Sequence, residues 1–382
     1  MNFILSDTEK LLQKTAREFA ENHLRPGVIE RDKNAEFPSN QIKMMGELGF
    51  MGMMIPEELG GSGMDTVSYC IALEEIAKVD ASAAVIMSVN NSLVCQLIEK
   101  FGTEEQKIKF LKKLASGEWL GAFSLSEPQS GSDASNMRTF AKKEDDYYII
   151  NGTKNWVTNG ISSDVVLLMC LTEKDVGYNG ISTFIIEKGT KGFSTGKKED
   201  KLGIRGSDTC ELYFDNCKVS EKNRLGQEGK GFKIALGTLD GGRIGIATQA
   251  LGIAKESLDR SVSYANEREQ FGKKIGKFGA IRSKIARMAI NIDAARLLIY
   301  RAAKMKDLGL SFKKEAAMAK SFASKIAMEA ATECVQIFGG YGYVRETGVE
   351  RLMRDAKITQ IYEGTSEIQE LVVAREILGG NL

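Results

Sequence analysis

Histidine occurs once in these 382 residues, at His23, and proline only at Pro26, Pro38, Pro56 and Pro128. With one histidine, and that one read as packing, Ser-His-Asp and Cys-His catalysis are set aside. The six cysteines (Cys70, Cys95, Cys170, Cys210, Cys217 and Cys334) include no CxxC pair, which with one histidine excludes a His/Cys zinc site. Thiols scattered through a chain this long suit a reducing compartment, and cytoplasmic residence is the expectation. The N-terminus lacks a basic stretch followed by an apolar run, so no secretory signal is read there. No uncharged stretch is read as long enough to span a bilayer. Charge of one sign is also missing. Lys and Arg number 52 and Asp and Glu 51, which leaves no basic field for nucleic acid or an anionic membrane. His23 falls one turn after Phe19 and reads as packing.

What is present is a globular composition, with 43% apolar and 27% charged residues. The length exceeds one comfortable core, so two or three domains are expected. Ser6-Asp7-Thr8-Glu9 is a capping box before a helix with Leu12, Ala16, Phe19 and Ala20 on one face. Ser39 opens a second helix that stops near Gly49. Residues 65–79, 82–101 and 104–114 read as three more, and 56–63 as a loop. From about residue 120 the pattern changes. Segments 120–126, 138–143, 147–151, 165–171, 183–187 and 210–214 are short, β-branched or aromatic, and separated by turn formers, as strands are. Glu144-Asp145-Asp146 reads as a hairpin turn and Lys197–Lys201 as a solvated loop. Helical stripes then return: Ala247, Leu251, Ala254, Leu258 and Val262; Ile285, Met288, Ile292, Ala295, Ile299 and Ala302; Ala316, Ala319, Ala323, Ile326 and Ala330. Such seams pack as an antiparallel bundle, and their length points to an oligomer of bundles. The expected domains are 1–119, 120–230 and 231–382.

The densest motif is Tyr362-Glu363-Gly364-Thr365-Ser366-Glu367. Gly364 permits positive φ or close approach, and Thr365 or Ser366 can cap a helix whose free N–H groups suit an anion. Glu363 is either a proton acceptor held in a crevice or an exposed residue before a capped helix. Phe123-Ser124-Leu125-Ser126-Glu127-Pro128-Gln129-Ser130-Gly131-Ser132-Asp133 is either a strand-to-turn connection or a cradle for a pyrophosphate or isoalloxazine edge. Trp156-Val157-Thr158 lies on an expected strand. Alone, Trp156 reads as a core residue; the alternative is that it covers an aromatic cofactor. Gln336-Ile337-Phe338-Gly339-Gly340 reads as a helix C-cap, or as a close approach to a dinucleotide. Asp240-Gly241-Gly242-Arg243 puts an ion pair or a ligand anchor at a helix entrance. Arg268 meets a phosphate or a neighbouring carboxylate.

Taken in order and spacing, these motifs resemble the acyl-CoA dehydrogenase family across essentially the whole chain, nearest to its short-chain, butyryl-CoA type. The resemblance implies an α+β, mainly α fold: an N-terminal helical domain, a middle β-domain and a C-terminal four-helix bundle, in a homotetramer with non-covalent FAD. It implies α,β-dehydrogenation of a short acyl-CoA (butyryl-CoA to crotonyl-CoA, or the reverse), with electron-transferring flavoprotein as partner. Glu363 would be the catalytic base and Gly364 would lie beside the thioester. Phe123, Leu125, Ser126, Gly131 and Ser132 would run along the flavin, with Ser132 also near CoA. Trp156, Val157 and Thr158 would pack on the ring. Arg268, Phe271, Gln336, Gly339 and Gly340 would reach FAD from the neighbouring subunit. Thr365, Ser366 and Glu367 would hold its pyrophosphate and ribose region. Asp240 and Arg243 would line the CoA channel, and Val85–Val89 would floor the acyl pocket. Isovaleryl- and long-chain-type relatives place their base just before the arginine matching Arg243, where this chain has Gly242. Many relatives have a flavin-contacting Gln where this chain has Gly279. Expulsion of water by substrate would raise Glu363 from ~4.3 toward ~6–7. Other readings are an oxidase-like flavoenzyme that uses oxygen, or a non-catalytic CoA-binding helical scaffold. A nicotinamide enzyme is excluded by the lack of a strand–GxGxxG–helix unit.

Overall fold

The computed structural model describes residues 4–379. Helix α1 (Asp7–Phe19) begins on the expected capping box: Ser6 Oγ accepts the Glu9 N–H and the Glu9 carboxylate accepts the Ser6 N–H. His23 stacks 5.3 Å from the Phe19 ring, although its own side is exposed. Then come α2 (Val28–Asn34), which the sequence left unassigned, α3 (Ser39–Glu47) and α4 (Thr66–Val79). Helix α5 (Ala81–Ser88) continues through a π-helical segment, Val89–Cys95, into α6 (Gln96–Phe101). Short helices α7 (Glu104–Gln106) and α8 (Lys112–Ala115), joined by a π turn, complete the first region.

The reading that no stretch could span a bilayer is corrected here. Ala81–Phe101 is 21 residues long with mean hydropathy 1.5, but 94% of its apolar window is buried inside the protein. Two asparagines on it are core struts. Asn90 Nδ2 donates to the carbonyls of Met51 (2.8 Å) and Leu114 (3.0 Å), and its Oδ1 accepts the Gly121 N–H (2.9 Å). Asn91 bonds Phe50 O, Met87 O and the Met53 N–H.

Strands β1 (Gly121–Ser124), β2 (Phe140–Glu144), β3 (Tyr147–Thr158), β4 (Val165–Leu171), β5 (Ile181–Glu187), β6 (Phe193–Lys198), β7 (Thr209–Ser220) and β8 (Arg224–Leu225) form one mixed sheet. Its order is β6-β7-β3-β2-β4-β5-β8, with β1 parallel to β4. The sequence missed the edge strands β6 and β8, where one side lacks a partner and polar residues intervene. Lys197–Lys201 is therefore no simple solvated loop: Lys197 and Lys198 lie on β6, Lys198 Nζ donates to Ala35 O, and Lys201 Nζ donates to Ser207 O. Along β4, Val166, Leu168 and Cys170 enter the sheet's own core, while Val165, Leu167 and Met169 enter the core of the helices. Period-two alternation thus buries both faces of this strand.

The last region has α9 (Gly231–Glu267), a hairpin of β9 (Glu269–Gln270) and β10 (Lys273–Lys274), α10 (Gly279–Asp307), α11 (Lys313–Phe338), α12 (Gly340–Tyr343), α13 (Val349–Ile358) and α14 (Ser366–Leu378). Helices α9, α10 and α11 pack on one another, and α13 and α14 lie on α11. The three expected stripes are buried apart from Val262 and Ile285, which are partly exposed. Helix α4 packs on both α1 and α9, so the two helical regions share one continuous core.

Asn90→Ala would leave three buried backbone groups without partners. It should lower stability by about 3 kcal/mol or more, read from the urea midpoint. A loss below about 1 kcal/mol would show that these bonds do not tie α5 to β1.

Candidate active site

Between α13 and α14 the chain turns through two consecutive positive-φ residues, Glu363 (φ 52°) and Gly364 (φ 91°). Thr365 then caps α14 by accepting the Ile368 N–H at 3.4 Å. Glycine is at home at positive φ; a glutamate held there is strained and must be fixed by its surroundings. Buried Gln369 donates from Nε2 to Glu363 O (3.1 Å) and Gly364 O (3.0 Å). Buried Lys320, on α11, donates to Gly364 O at 2.6 Å. Tyr362 donates its hydroxyl to Gln249 Oε1 on α9, and Gln249 Nε2 donates to Ala81 O at 2.8 Å.

This frame delivers the carboxyl against α9. The residue is half-buried, but Oε2 is shut from solvent and has no hydrogen-bond partner. A Cβ built on Gly242 would overlap Oε2 and lie 2.7 Å from Leu93 Cδ2. The Gly242 position and the Glu363 carboxyl therefore occupy the same space. Burial pushes Glu363 up to about 7, against the opposing pull of Lys320 and Arg243. The protein alone achieves the rise that the sequence reading assigned to substrate. The exposed alternative is overturned. The Glu363 N–H makes no hydrogen bond within the chain among the described residues and stays available as a donor.

Asp240 and Arg243 lie inside α9, three turns beyond its start at Gly231, and not at a helix entrance as expected. Arg243 Nη1 donates to Asp240 Oδ1 at 2.6 Å, and its buried Nε is left without a partner. Burial raises Asp240, and Arg243 opposes that rise.

The second part of the site is on the sheet. The ladder between β3 and β7 shifts register between Lys154 and Val157, a bulge that carries Asn155 and Trp156. Trp156 has φ 60° and is 62% exposed, so it is no core residue. Its N–H donates to Asn155 Oδ1 (2.7 Å), and the Asn155 N–H donates to Ser126 O (3.0 Å). That bond brings the Leu125-Ser126 segment beside Trp156-Val157-Thr158. Phe123 is half-buried on β1, Leu125 and Val157 are buried, and Ser126 and Thr158 are half-buried. Gly131 and Ser132 are exposed, and nothing lies within 4 Å of a Cβ placed on Gly131.

A third group is gathered elsewhere. Phe271 and Gly272 (φ 50° and 74°) are the two-residue turn between β9 and β10, a turn with both residues at positive φ. Phe271 is 93% exposed. The Arg268 guanidinium lies 5.8 Å from the Tyr341 ring centre, so within the chain it meets an aromatic face and not the neighbouring carboxylate that was one expectation. Gly339 ends α11 at φ 61°, and Gln336, Gly339 and Gly340 are exposed. Among the described residues, no hydrogen bond or ring contact joins this group to the Trp156 or Glu363 segments. Thr365 serves as the α14 cap, Ser366 Oγ donates to Gln360 O, and Glu367 is exposed. Gly279 opens α10 with open space around it.

Sequence reading passed over Glu127, Lys154, Gln249, Lys320 and Gln369. Two carried a signal. Lys154 shares strand parity with buried Tyr148 and Ile150, and Lys320 follows Ala316 by one helical turn.

The candidate site thus has three parts: a carboxyl oxygen without a partner among the helices, an exposed aromatic bulge on the sheet, and an exposed ring with bare glycine backbone at the β9–β10 turn and the end of α11. Models of the acyl-CoA dehydrogenase N-terminal, middle and C-terminal domains match residues 6–118, 122–217 and 229–378, and the chain belongs to the acyl-CoA dehydrogenase family. It is 49% identical to the short-chain-specific acyl-CoA dehydrogenase of Clostridium acetobutylicum, over 99% of this chain and 100% of that one. It superposes on butyryl-CoA dehydrogenase from Megasphaera elsdenii with TM-score 0.97 and 50% identity, over 99% and 100% of the two chains. A chain solved in work on the electron-transferring flavoprotein of Acidaminococcus fermentans gives 0.98 and 50%, with the same coverage.

Gly242→Ala should displace the Glu363 carboxyl. The expected result is at least a ~10-fold loss of turnover with the helical fold retained, since a small misplacement of a reacting group suffices. Unchanged turnover would show that the carboxyl does not need that space. A raised carboxyl also links stability to pH. From its ordinary 4.5 to about 7, the fold holds a proton that the unfolded chain releases, so Glu363 loses stability as pH rises through that window. The loss is at most about 3 kcal/mol. Cofactor-free Glu363→Gln should therefore gain thermal stability over the parent between pH 5 and pH 8; a gap independent of pH contradicts the raised value.

Proposed function

We propose that this protein catalyses FAD-dependent α,β-dehydrogenation of short-chain acyl-CoA, with Glu363 as the base that takes the α-proton. The observation that carries the reading is the half-buried Glu363 carboxyl, raised to about 7, with Oε2 shut from solvent, unpartnered and packed into the space left by Gly242. A base near the working pH is both deprotonated and strong enough to act on an acidified C–H bond.

The chain's residues fit FAD. Trp156 and Phe271 offer exposed rings, and Gly131, Gly339 and Gly340 offer backbone with no side chain in the way. Phe123, Leu125, Ser126, Ser132, Val157 and Thr158 would hold one part of it. Arg268, Phe271, Gln336, Gly339 and Gly340 would act from a second copy in a homotetramer, and Thr365, Ser366 and Glu367 would meet its pyrophosphate and ribose. Bound FAD supplies the acceptor for the β-hydrogen, which leaves as hydride.

The rest is done by protein groups. Glu363 receives the α-proton as the Cα–H bond breaks and the Cα=Cβ bond forms. Its own N–H, free of other bonds, is placed to donate to the thioester oxygen and stabilise the charge that develops there. Gly364 lets the backbone lie against the thioester. Asp240 and Arg243 line the CoA arm, with Arg243 Nε as a spare donor. The short-chain preference follows the relatives named for butyryl-CoA and short-chain substrates. It fits the crowding around Val85–Val89, the proposed pocket floor: these residues are buried, and a Cβ on Gly245 would overlap Ser88 Oγ. Electron-transferring flavoprotein is the proposed partner, with Trp156 a route for electrons. The bacterial relatives suit a cytoplasmic enzyme.

Glu363→Gln should purify yellow but lose anaerobic bleaching by butyryl-CoA by at least ~10²-fold. Bleaching at the parent rate would remove Glu363 from the role. The same titration with lengthening acyl chains reads pocket depth, each surplus methylene costing about 1–3 kcal/mol.

A further inference from the structure

The sheet holds an ion pair that the reaction does not use. Lys154 and Glu127 are 0% and 2% exposed and 2.9 Å apart. Lys154 lies on β3, two residues before Trp156; Glu127 lies in the loop, one residue after Ser126. Lys154 Nζ also donates to Leu125 O at 2.8 Å. The Glu127 carboxylate accepts the Arg138 N–H (2.6 Å), the Thr139 N–H (3.0 Å) and Gln129 Nε2 (2.7 Å). Burial pushes Glu127 up, but Lys154 and the loop N–H groups overcome it and hold the carboxyl at about 2.

A buried ion pair is weak evidence of stability, because desolvation offsets its attraction. Its geometry is the informative part. One end of the pair grips the loop where it leaves β1, at Leu125. The other end grips it where it returns to β2, at Arg138 and Thr139. Between those points the loop has few ties of its own: the Glu127–Ser130 bridge, Ser130 Oγ to Asp133 O, Ser135 Oγ to Asp133 Oδ1, and the Asn136 N–H to Asp133 O. Lys154, directly and through Glu127, ties both ends to the strand that carries the Trp156 bulge.

We propose that the Lys154–Glu127 pair is the positioning element for the cofactor: it fixes the 125–138 loop against the Trp156–Thr158 bulge and so sets how tightly, and at what potential, the flavin is held. This rests on the flavin reading above. Lys154 and Glu127 are positioning residues, acting through Leu125, Ser126 and Trp156.

The test is Lys154→Met with Glu127→Leu, which removes both charges and leaves no lone buried ion. Readouts are FAD dissociation from the purified protein, the flavin midpoint potential, and amide exchange at Arg138 and Thr139 in cofactor-free protein. Expected are FAD binding weaker by at least ~10-fold, a shifted potential, and exchange at those two amides faster by at least ~10-fold, with far-ultraviolet circular dichroism preserved. Lys78→Met, which breaks the Lys78–Asp259 pair on α4 and α9 (2.7 Å), is the control and should leave all three unchanged. Parental FAD affinity, potential and exchange in the double variant would overturn the proposal. If the double variant is insoluble, Glu127→Gln carries the same three readouts, since one amide oxygen cannot serve both loop N–H groups and the ammonium. A parent protein that binds no FAD would instead sink the flavin reading itself.

Discussion

A half-buried carboxyl with one oxygen shut from water and without a hydrogen-bond partner is a constraint that everything around it must meet. Isolated, such a group would refold the loop toward solvent or stay protonated far above neutrality. Here Lys320 and Arg243 lie close enough to pull against burial, and the balance falls at about 7. Neither cation makes an ion pair with Glu363 itself. Lys320 bonds the Gly364 carbonyl and Arg243 bonds Asp240. The carboxyl thus feels positive charge without being committed to a partner, which leaves it free for a proton from elsewhere. Four elements converge to make this possible: α9 through Gly242 and Gln249, α11 through Lys320, α14 through Gln369, and the α5–α6 helix through Leu93.

The Glu363 carboxyl is a property of the helices, whereas the aromatic bulge is a property of the sheet. Their separation is set by a few polar joints between the two cores. Asn90, on the central helix, accepts the Gly121 N–H at the start of β1, and Asn159 Nδ2, just after Thr158, donates to Gly121 O. Asp355 on α13 accepts the Ile204 N–H (2.6 Å), and Arg205 donates to Asp32 O on α2. These joints are hydrogen bonds of fixed direction, which specify relative placement more sharply than apolar contact does. The shared apolar core supplies adhesion, and the polar joints supply registration.

The helical stripes and most strands were legible because burial imposes its period on the residues directly. Trp156 was misjudged for a related reason. Its neighbours alternate as a strand should, and nothing local shows that two residues bulge out between Lys154 and Val157. The edge strands β6 and β8 were silent because an edge need bury only part of itself. At the site, Glu363 was legible through its glycine and its helix cap, and the opposed Gly242 through the family resemblance. The framing groups were not. Gln369, Lys320 and Gln249 are ordinary helix residues whose significance comes from which carbonyl or hydroxyl they meet across the fold. Lys154 and Lys320 left only the faint signal of a lysine on an apolar face.

Backbone strain shows where placement outweighs comfort. Of the nine non-glycine residues at positive φ among the described residues, Asp145, Asn159, Asp175 and Asn216 are types that tolerate it, and Ala35 closes α2. The remaining four are Trp156, Ile204, Phe271 and Glu363. Three of these are candidate site residues, and each carries a side chain that glycine would delete. Glycine would relieve the strain but lose the ring or the carboxyl, so the strain is the consequence of needing that side chain at that turn. Ile204 fits the same logic by another route. A β-branched residue at φ 42° is a genuine outlier, yet its N–H is what Asp355 accepts and its side chain is buried. It therefore holds α13, and with it the approach to Glu363, against the segment that leads into β7 beneath the Trp156 bulge.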